Sequence, residues 1–219
     1  MTFPNSPKLA KAGIVLVDAR SGSVLRIVSL QYNPETLTRS FQAQTLGTGD
    51  GGDRSEAMRL KGPAVESYRL EAEIDATDPL EFPESNPTSV EHGIQPQLAA
   101  LELLLYPSST QLDANHRLAD AGTLEIAPMQ TPLALFVWGK SRVLPVRVTD
   151  FSITEEAFDA ALNPVRAKVS LGLRVLSVDD LGFDHRGGSL FMNYLQVKER
   201  LAGQAAAGSF ATLGIGGLP

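Results

Sequence analysis

The sequence predicts a mainly β protein: a β-rich α+β fold built on an antiparallel β-sandwich or barrel, with one or two flanking helices. Three observations carry this. Residues 165–175, VRAKVSLGLRV, alternate for eleven positions, with an apolar side chain at every odd number and Arg, Lys, Ser or Gly at every even one. A strand repeats every two residues, so one of its faces is apolar and the other polar. Residues 67–75, SYRLEAEID, repeat the pattern, with Tyr68, Leu70, Ala72 and Ile74 opposed to Arg69, Glu71, Glu73 and Asp75. Third, two further pairs of apolar runs are separated by short turns containing glycine, as hairpins are. Amphipathic strands joined by hairpins and loops belong to antiparallel sheets with one face on a core.

The elements follow in chain order. Residues 1–12, with two prolines, read as a flexible arm. Residues 14–18 and 24–32 form a first hairpin around Gly22, stopped by Asn33-Pro34. Residues 36–45 are extended and mostly polar, which suits an edge strand or a segment lying on a neighbour. The 47–63 stretch holds five glycines, two aspartates and a proline, a composition that cannot pack a core and predicts a mobile loop. After the 67–75 strand comes a Pro-rich loop. A helix over 95–106 follows, opened by Pro96, carrying Leu98, Leu101, Leu104 and Leu105 at helical spacing and closed by Pro107.

Residues 108–131 read as a polar connection with a short strand at 124–127. A strand through Trp138, a turn at Gly139-Lys140-Ser141 and a strand from Arg142 to Ile153 make the second hairpin. Residues 154–164, TEEAFDAALNP, read as the connection into the 165–175 strand. Beyond residue 180 the chain holds a Gly-rich spacer at 182–188 and a helix over 189–202 with Leu190, Phe191, Tyr194, Leu195 and Leu201 on one face. A tail, disordered or docked only in an assembly, follows. The division is therefore an arm (1–12), a β domain (13–180), and a spacer, helix and tail (181–219).

Composition excludes several function classes. With 19 Lys and Arg against 25 Asp and Glu the net charge is −6, the wrong sign for a nucleic-acid surface. There is no cysteine, hence no disulfide, thiolate metal site or cysteine nucleophile. No window reaches the roughly 18 apolar residues of a spanning helix, and the N-terminus has no signal-peptide core. Synthesis in the cytoplasm, with no membrane partner, is the expectation.

The chemical inventory is thin. His92, His116 and His185 are scattered, without the spacing of a metal motif. The GTGDGGD run at 47–53 lacks the spaced carboxylates and bidentate Glu of a Ca²⁺ loop and the Lys of a phosphate loop. Asp184-His185 has no nucleophile elbow beside it, and the adjacent Glu155 and Glu156 do not face each other as a glycosidase pair must. No catalytic residue, cofactor or metal is assigned, and an enzyme is not expected. Trp138, in an apolar strand, reads as a core or interface anchor.

Three motifs in order resemble the tube-initiator, or tube protein, family of contractile injection systems, phage-tail-like particles whose members include LysM-bearing baseplate hub proteins. They are Tyr32-Asn33-Pro34 near the first hairpin; Pro132, Phe136, Trp138 and Gly139 in a strand and turn; and Pro164, Val165, Arg166, Ala167 and Val169 at the start of the long strand. The resemblance spans residues 14–177. Two departures stand out: Leu162 occupies the place of a usual glycine, and the chain after Ser177 is too short for a LysM domain, so no peptidoglycan role carries over.

The resemblance implies the inner-tube fold and a structural role: a ring, expected to be a hexamer, adapting a spike to the inner tube and contacting other baseplate subunits within the contractile particle. Arg166, Lys168 and Arg174 are the candidates for a lumen or ring interface, and Arg39 and Phe41 in the 36–45 segment for a contact between subunits. Tyr32, Asn33, Pro34, Trp138, Gly139 and Pro164 are candidate structural positions. The alternatives are the main inner-tube protein of the same machine and a small-molecule-binding β-barrel.

Overall fold

The computed structural model of the 219-residue chain describes residues 10–45, 59–122 and 131–218. Among these residues seven strands form one antiparallel sheet: β1 (Gly13–Val17), β2 (Val24–Ser29), β3 (Leu37–Gln42), β4 (Val65–Asp75), β5 (Leu133–Val137), β6 (Val143–Phe158) and β7 (Pro164–Val175). Their order is β2-β1-β5-β6-β7-β4-β3. The class is the mainly β one expected.

The sheet is curled into a barrel. In a flat sheet β2 and β4 would stand five strand spacings apart, about 24 Å. Yet Gln31, just after β2, reaches the backbone of Asp75 at the end of β4. Its Nε2 donates to the Asp75 carbonyl (2.7 Å) and its Oε1 accepts from the Asp75 N–H (2.9 Å). The amide side chain thus stands in for the missing ladder between β2 and β4, and β3 continues past the seam as an outer strand. Consistently, the rings of Tyr68 on β4 and Phe136 on β5, three strands away, have centroids 5.4 Å apart across the interior.

Alternation decides which face is inside. The odd residues Ala167, Val169, Leu171, Leu173 and Val175 of β7 and the even residues Tyr68, Leu70, Ala72 and Ile74 of β4 are all buried, with Ile14, Phe136, Leu144 and Val146 opposite. Gly172, the one glycine in the β7 repeat, lies beside a bulge in β6 between Val148 and Asp150. A Cβ there would come within 2.8 Å of the Asp150 Cβ, so the bulge and the glycine require each other.

Helices close the two ends. Helix α3 (Gln95–Glu102) buries Leu98 and Leu101 at the Ile74 end of β4. Helix α6 (Arg186–Gly203) buries Phe191 and Tyr194 at the Glu66 end, while its Leu190 packs with Val15, Val17, Leu133 and Leu135 on the outside of β1 and β5. The other described helices are α1 (Thr77–Leu80), α2 (Pro87–His92), α4 (Ser109–Asp120) and α5 (Val178–Leu181), with a 3-10 turn at Pro83–Ser85.

Several expectations need correction. Helices number six among the described residues, not one or two. Residues 154–158 are not a connection: they extend β6, setting Thr154 opposite Lys168 and Glu156 opposite Arg166, so cross-strand charge compensates for poor strand propensity. The polar stretch after residue 108 contains α4, which buries nothing and is started by a reciprocal capping box between Ser108 and Gln111. The helix expected over 95–106 stops at Glu102, where the Leu104 and Leu105 N–H groups turn to the i−3 carbonyls of Leu101 and Glu102 and the chain tightens into a turn. Gly187 and Gly188 do not lie in a spacer: they form the buried first turn of α6, where His185 Nδ1 accepts from the Gly187 N–H (3.0 Å). The strand expected at 124–127, most of the 1–12 arm and most of the 47–63 loop lie outside the described residues. The foot of that loop is tied by a Thr45–Leu60 bridge and by Gln44 Nε2 donating to the Pro63 carbonyl.

Candidate assembly surfaces

The polar face of β7 poses a charge problem that register solves. Arg166, Lys168 and Arg174 have no anion within their strand, but β4 and β6 bring Glu73, Asp75 and Glu156 alongside. Arg166 Nε lies 2.8 Å from Asp75 Oδ2 and 3.8 Å from Glu73 Oε1. Lys168 Nζ lies 3.0 Å from Glu156, and Arg174 Nη2 lies 2.8 Å from Asp180 of α5. All three cations placed by sequence at a lumen or ring interface are thus held in pairs within the chain.

The carboxylates respond. Hydrogen bonds from the Thr77 hydroxyl and N–H, with the Arg166 guanidinium, hold Asp75 below the usual carboxylate range despite some burial. Burial pushes Asp180 up, but the Ser177 N–H and Arg174 outweigh it and leave it lowered. Exposed pairs of this kind add little to stability, because water screens them and two long side chains must be held in place. What the lattice yields is a polar face on which charge is locally compensated.

Among the described residues two strand edges are open: β2 pairs only with β1, and β3 only with β4. Ile27, opposite Val15, continues the outer apolar stripe of β1 and β5 to the β2 edge and is 67% exposed. Val24 and Leu25 beside it are also exposed. At the other edge Phe41 is exposed, under two cations: Arg39 Cζ stands 5.7 Å and Lys198 Nζ 5.1 Å from its ring centroid. Unpaired edges with apolar side chains are templates for another strand.

Beneath Phe41 is a buried polar cluster that sequence reasoning missed. Glu66 is nearly fully buried, and its Oε1 accepts from the hydroxyls of Tyr68 and Tyr194, each at 2.8 Å. Its Oε2 accepts from Lys198 Nζ at 2.7 Å. The two hydroxyls are themselves 3.1 Å apart, and Lys198 stands 4.3 Å over the Tyr194 ring. Burial first, then the neighbouring phenol and carboxylate, push Tyr68 well above the ordinary phenol range. This cluster seats α6 on the barrel. Its trace in sequence is Glu66 in phase with the apolar face of β4, together with Tyr194 and Lys198 at i, i+4 on α6.

The motif residues divide by job. Asn33 clips the chain ahead of β1, its Oδ1 accepting from the Ala12 N–H (2.9 Å) and its Nδ2 donating to the Ala10 carbonyl (2.8 Å). Tyr32 is half exposed beside it, and Pro34 follows in the same turn. Trp138 is partly buried on the core, 5.9 Å from Phe136, and Gly139 supplies the positive φ of 73° for the β5–β6 turn. Pro164 is buried, and its carbonyl accepts from the Ile94 N–H (2.9 Å), fastening α2 and α3 to the start of β7.

Leu162 takes φ +64°, the left-handed region where a glycine fits, in the β6–β7 turn. Asp159 organises that turn by accepting from the Asn163 side chain and N–H and from the Ala161 N–H. A non-glycine residue there costs about 1–2 kcal/mol, against about 0.4–1 kcal/mol for a glycine's extra unfolded-state freedom. The side chain is 77% exposed and contributes little packing. Leu162→Gly is therefore expected to raise the unfolding free energy by about 0.5–1 kcal/mol in urea melts; a lower value would mean Leu162 is held by contacts.

No group of three or more His, Asp or Glu able to hold a metal occurs among the described residues, and none of their helices is long and apolar enough to cross a membrane. His92 and His116 lie at the surface beside Glu91 and Asp120, and His185 caps α6.

A sequence model described as contractile injection system tube protein matches residues 8–180. Among solved structures, a chain in the tail of an empty GTA particle with C6 symmetry is similar at 11% identity, covering 75% of this chain and 90% of that one, with a TM-score of 0.30. A chain in the virion of a native gene transfer agent particle is similar at 10% identity with the same coverage and a TM-score of 0.28. A comparison with curated proteins gives no match.

Proposed function

Because the chain belongs to the contractile injection system tube protein family, whose members are structural parts of phage-tail-like particles, we propose that it forms the ring, a hexamer, that joins the spike to the inner tube and starts tube assembly. Its partners in this reading are further copies of itself, spike and inner-tube proteins and other baseplate subunits, in a particle assembled from protein made in the cytoplasm.

The observation that carries the reading is the pair of open edges. A barrel whose β2 and β3 edges are unpaired and flanked by exposed Ile27 and Phe41 has what each subunit of a ring needs: a strand to give and a strand to receive. The compensated polar face of β4, β6 and β7 suits water or a sliding neighbour. Its salt bridges leave Arg166, Lys168 and Arg174 little free charge to hold a passing load. The ordered α6 and the chain beyond it, outside the matched residues 8–180, favour the initiator over the main tube protein, which must stack on itself without end.

The test is native mass across concentration with negative-stain imaging. Rings that bind spike or tube protein support the initiator; continuous tubes from the isolated protein support the main tube protein. Ile27→Asp is expected to abolish rings while shifting monomer stability by no more than about 0.5 kcal/mol, since the side chain is mostly exposed. Rings that persist in this variant would remove β2 from the interface.

A further inference from the structure

We infer that residues 209–215 are a preformed hook that docks, from one copy of this chain, into the groove between β2 and α3 of another; the inference rests on the self-assembly reading above.

The hook is built before it has a partner. Ser209 starts a single helical turn, its Oγ accepting from the Thr212 N–H (3.2 Å) and pairing with the Thr212 hydroxyl (2.8 Å). Gly214, at φ +72°, ends the turn. The Ile215 N–H donates to the Phe210 carbonyl (3.0 Å) and the Gly214 N–H to the Ala211 carbonyl (3.1 Å). That pair of bonds is a Schellman closure, which sets the residues at its two ends, here Phe210 and Ile215, together. Gly214 is needed for its left-handed conformation.

None of the other described elements makes a backbone hydrogen bond to this object. The backbone hydrogen bonds of residues 204–218 stay within the segment and the last turn of α6. Phe210, Leu213, Ile215 and Leu218 are 44–78% exposed. Residues 201–219 carry no charged side chain at all. An uncharged segment with four exposed large apolar residues, locked at both ends, is shaped for an apolar seat.

The seat has matching character. A groove of about 330 Å³ is lined by residues that include Ile27, Leu30, Ile74, Pro96 and Leu101, and no lining residue is charged. Ser29, Gln31 and Gln97 are the polar residues on its wall, with the Gln31 amide already bonded to Asp75. It lies between the Gln31 end of β2 and α3, so an occupant would meet mainly apolar side chains.

The hook does not sit in its own chain's groove, which none of residues 204–218 lines, and this leaves the seat to another copy. The end of α6 leaves the barrel at Glu66, where Lys198 is anchored, and the groove lies at Ile74, eight residues along β4. That separation is about 26 Å. A hook at one end and a seat at the other make a head-to-tail contact, the heterologous kind that generates rings or stacks.

The absence of cysteine makes the test direct. Full-length Gln97→Cys and a size-tagged Ile215→Cys are mixed and oxidised, with Ala114→Cys on the exposed α4 replacing Gln97→Cys as the control surface. Docking raises the local thiol concentration, so the disulfide-linked heterodimer of Gln97→Cys with Ile215→Cys is expected to exceed the control by at least about tenfold. Phe210→Ser with Ile215→Ser is expected to raise the concentration needed for assembly at least about tenfold. Assembly with no excess heterodimer would overturn the hook and leave the ring reading standing. No assembly and no heterodimer would overturn both. A disulfide formed only within a chain carrying both substitutions would return the hook to its own groove and overturn the inference.

Discussion

Leu171→Ala is expected to lower the unfolding free energy by about 3–4 kcal/mol. Leu171 sits mid-strand in β7, 1% exposed, paired across the ladders with Leu70 and Phe151. Ile14, Leu30 and Phe136 reach it from the opposite wall. The walls are tied by continuous hydrogen-bond ladders and by the Gln31 bridge, so they cannot relax into the vacated space, and the cavity cost adds to the lost transfer energy. Ser170→Ala, one residue away and outward, is expected to change stability by about 0.5 kcal/mol or less. Urea melts of the two variants check the alternation directly, and equal losses would show that β7 is turned over.

Lys198→Met is the second large effect, a destabilisation of about 2–3 kcal/mol. Removing one partner of a buried ion pair costs about 3–5 kcal/mol. Here Lys198 keeps 35% of its side-chain exposure and Arg39 remains near Glu66, which reduces the loss. Adding Glu66→Gln to Lys198→Met is expected to restore at least about 1 kcal/mol, because the stranded charge disappears. Additive losses in that cycle would mean that Lys198 acts through packing alone.

The same cluster predicts an alkaline limit. Burial raises both Tyr68 and Tyr194, so the folded protein keeps protons that the unfolded chain releases near pH 10. Their contribution is complete below about pH 10 and is lost as pH rises beyond it. Tm against pH should fall above that point, and less steeply in Tyr68→Phe.

The sequence determined the strands whose faces are set by solvent. Perfect alternation in 165–175 and 67–75 leaves one register in which every apolar residue is inside, and a slip by one would expose them all. The family resemblance singled out Tyr32-Asn33-Pro34, Trp138-Gly139 and Pro164, and in the structure Asn33 clips the chain ahead of β1, Gly139 takes a positive φ and Pro164 is buried. Residues 154–158 and α4 were not legible, since their support is non-local in one case and confined to a cap in the other: acids opposite cations on β7, and a Ser108–Gln111 box without an apolar stripe.

Only the tertiary structure decided the rest. Strand order brings β2 to β4 at Gln31, pairs the three cations of β7 with carboxylates from β4, β6 and α5, and assembles Glu66, Tyr68, Tyr194 and Lys198 from segments 128 residues apart. Period-two patterning says which way a side chain points but not which strand lies beside it. Which charges are neutralised, and which edges stay open for another copy, are properties of neighbours, and neighbours are fixed by the closing of the barrel.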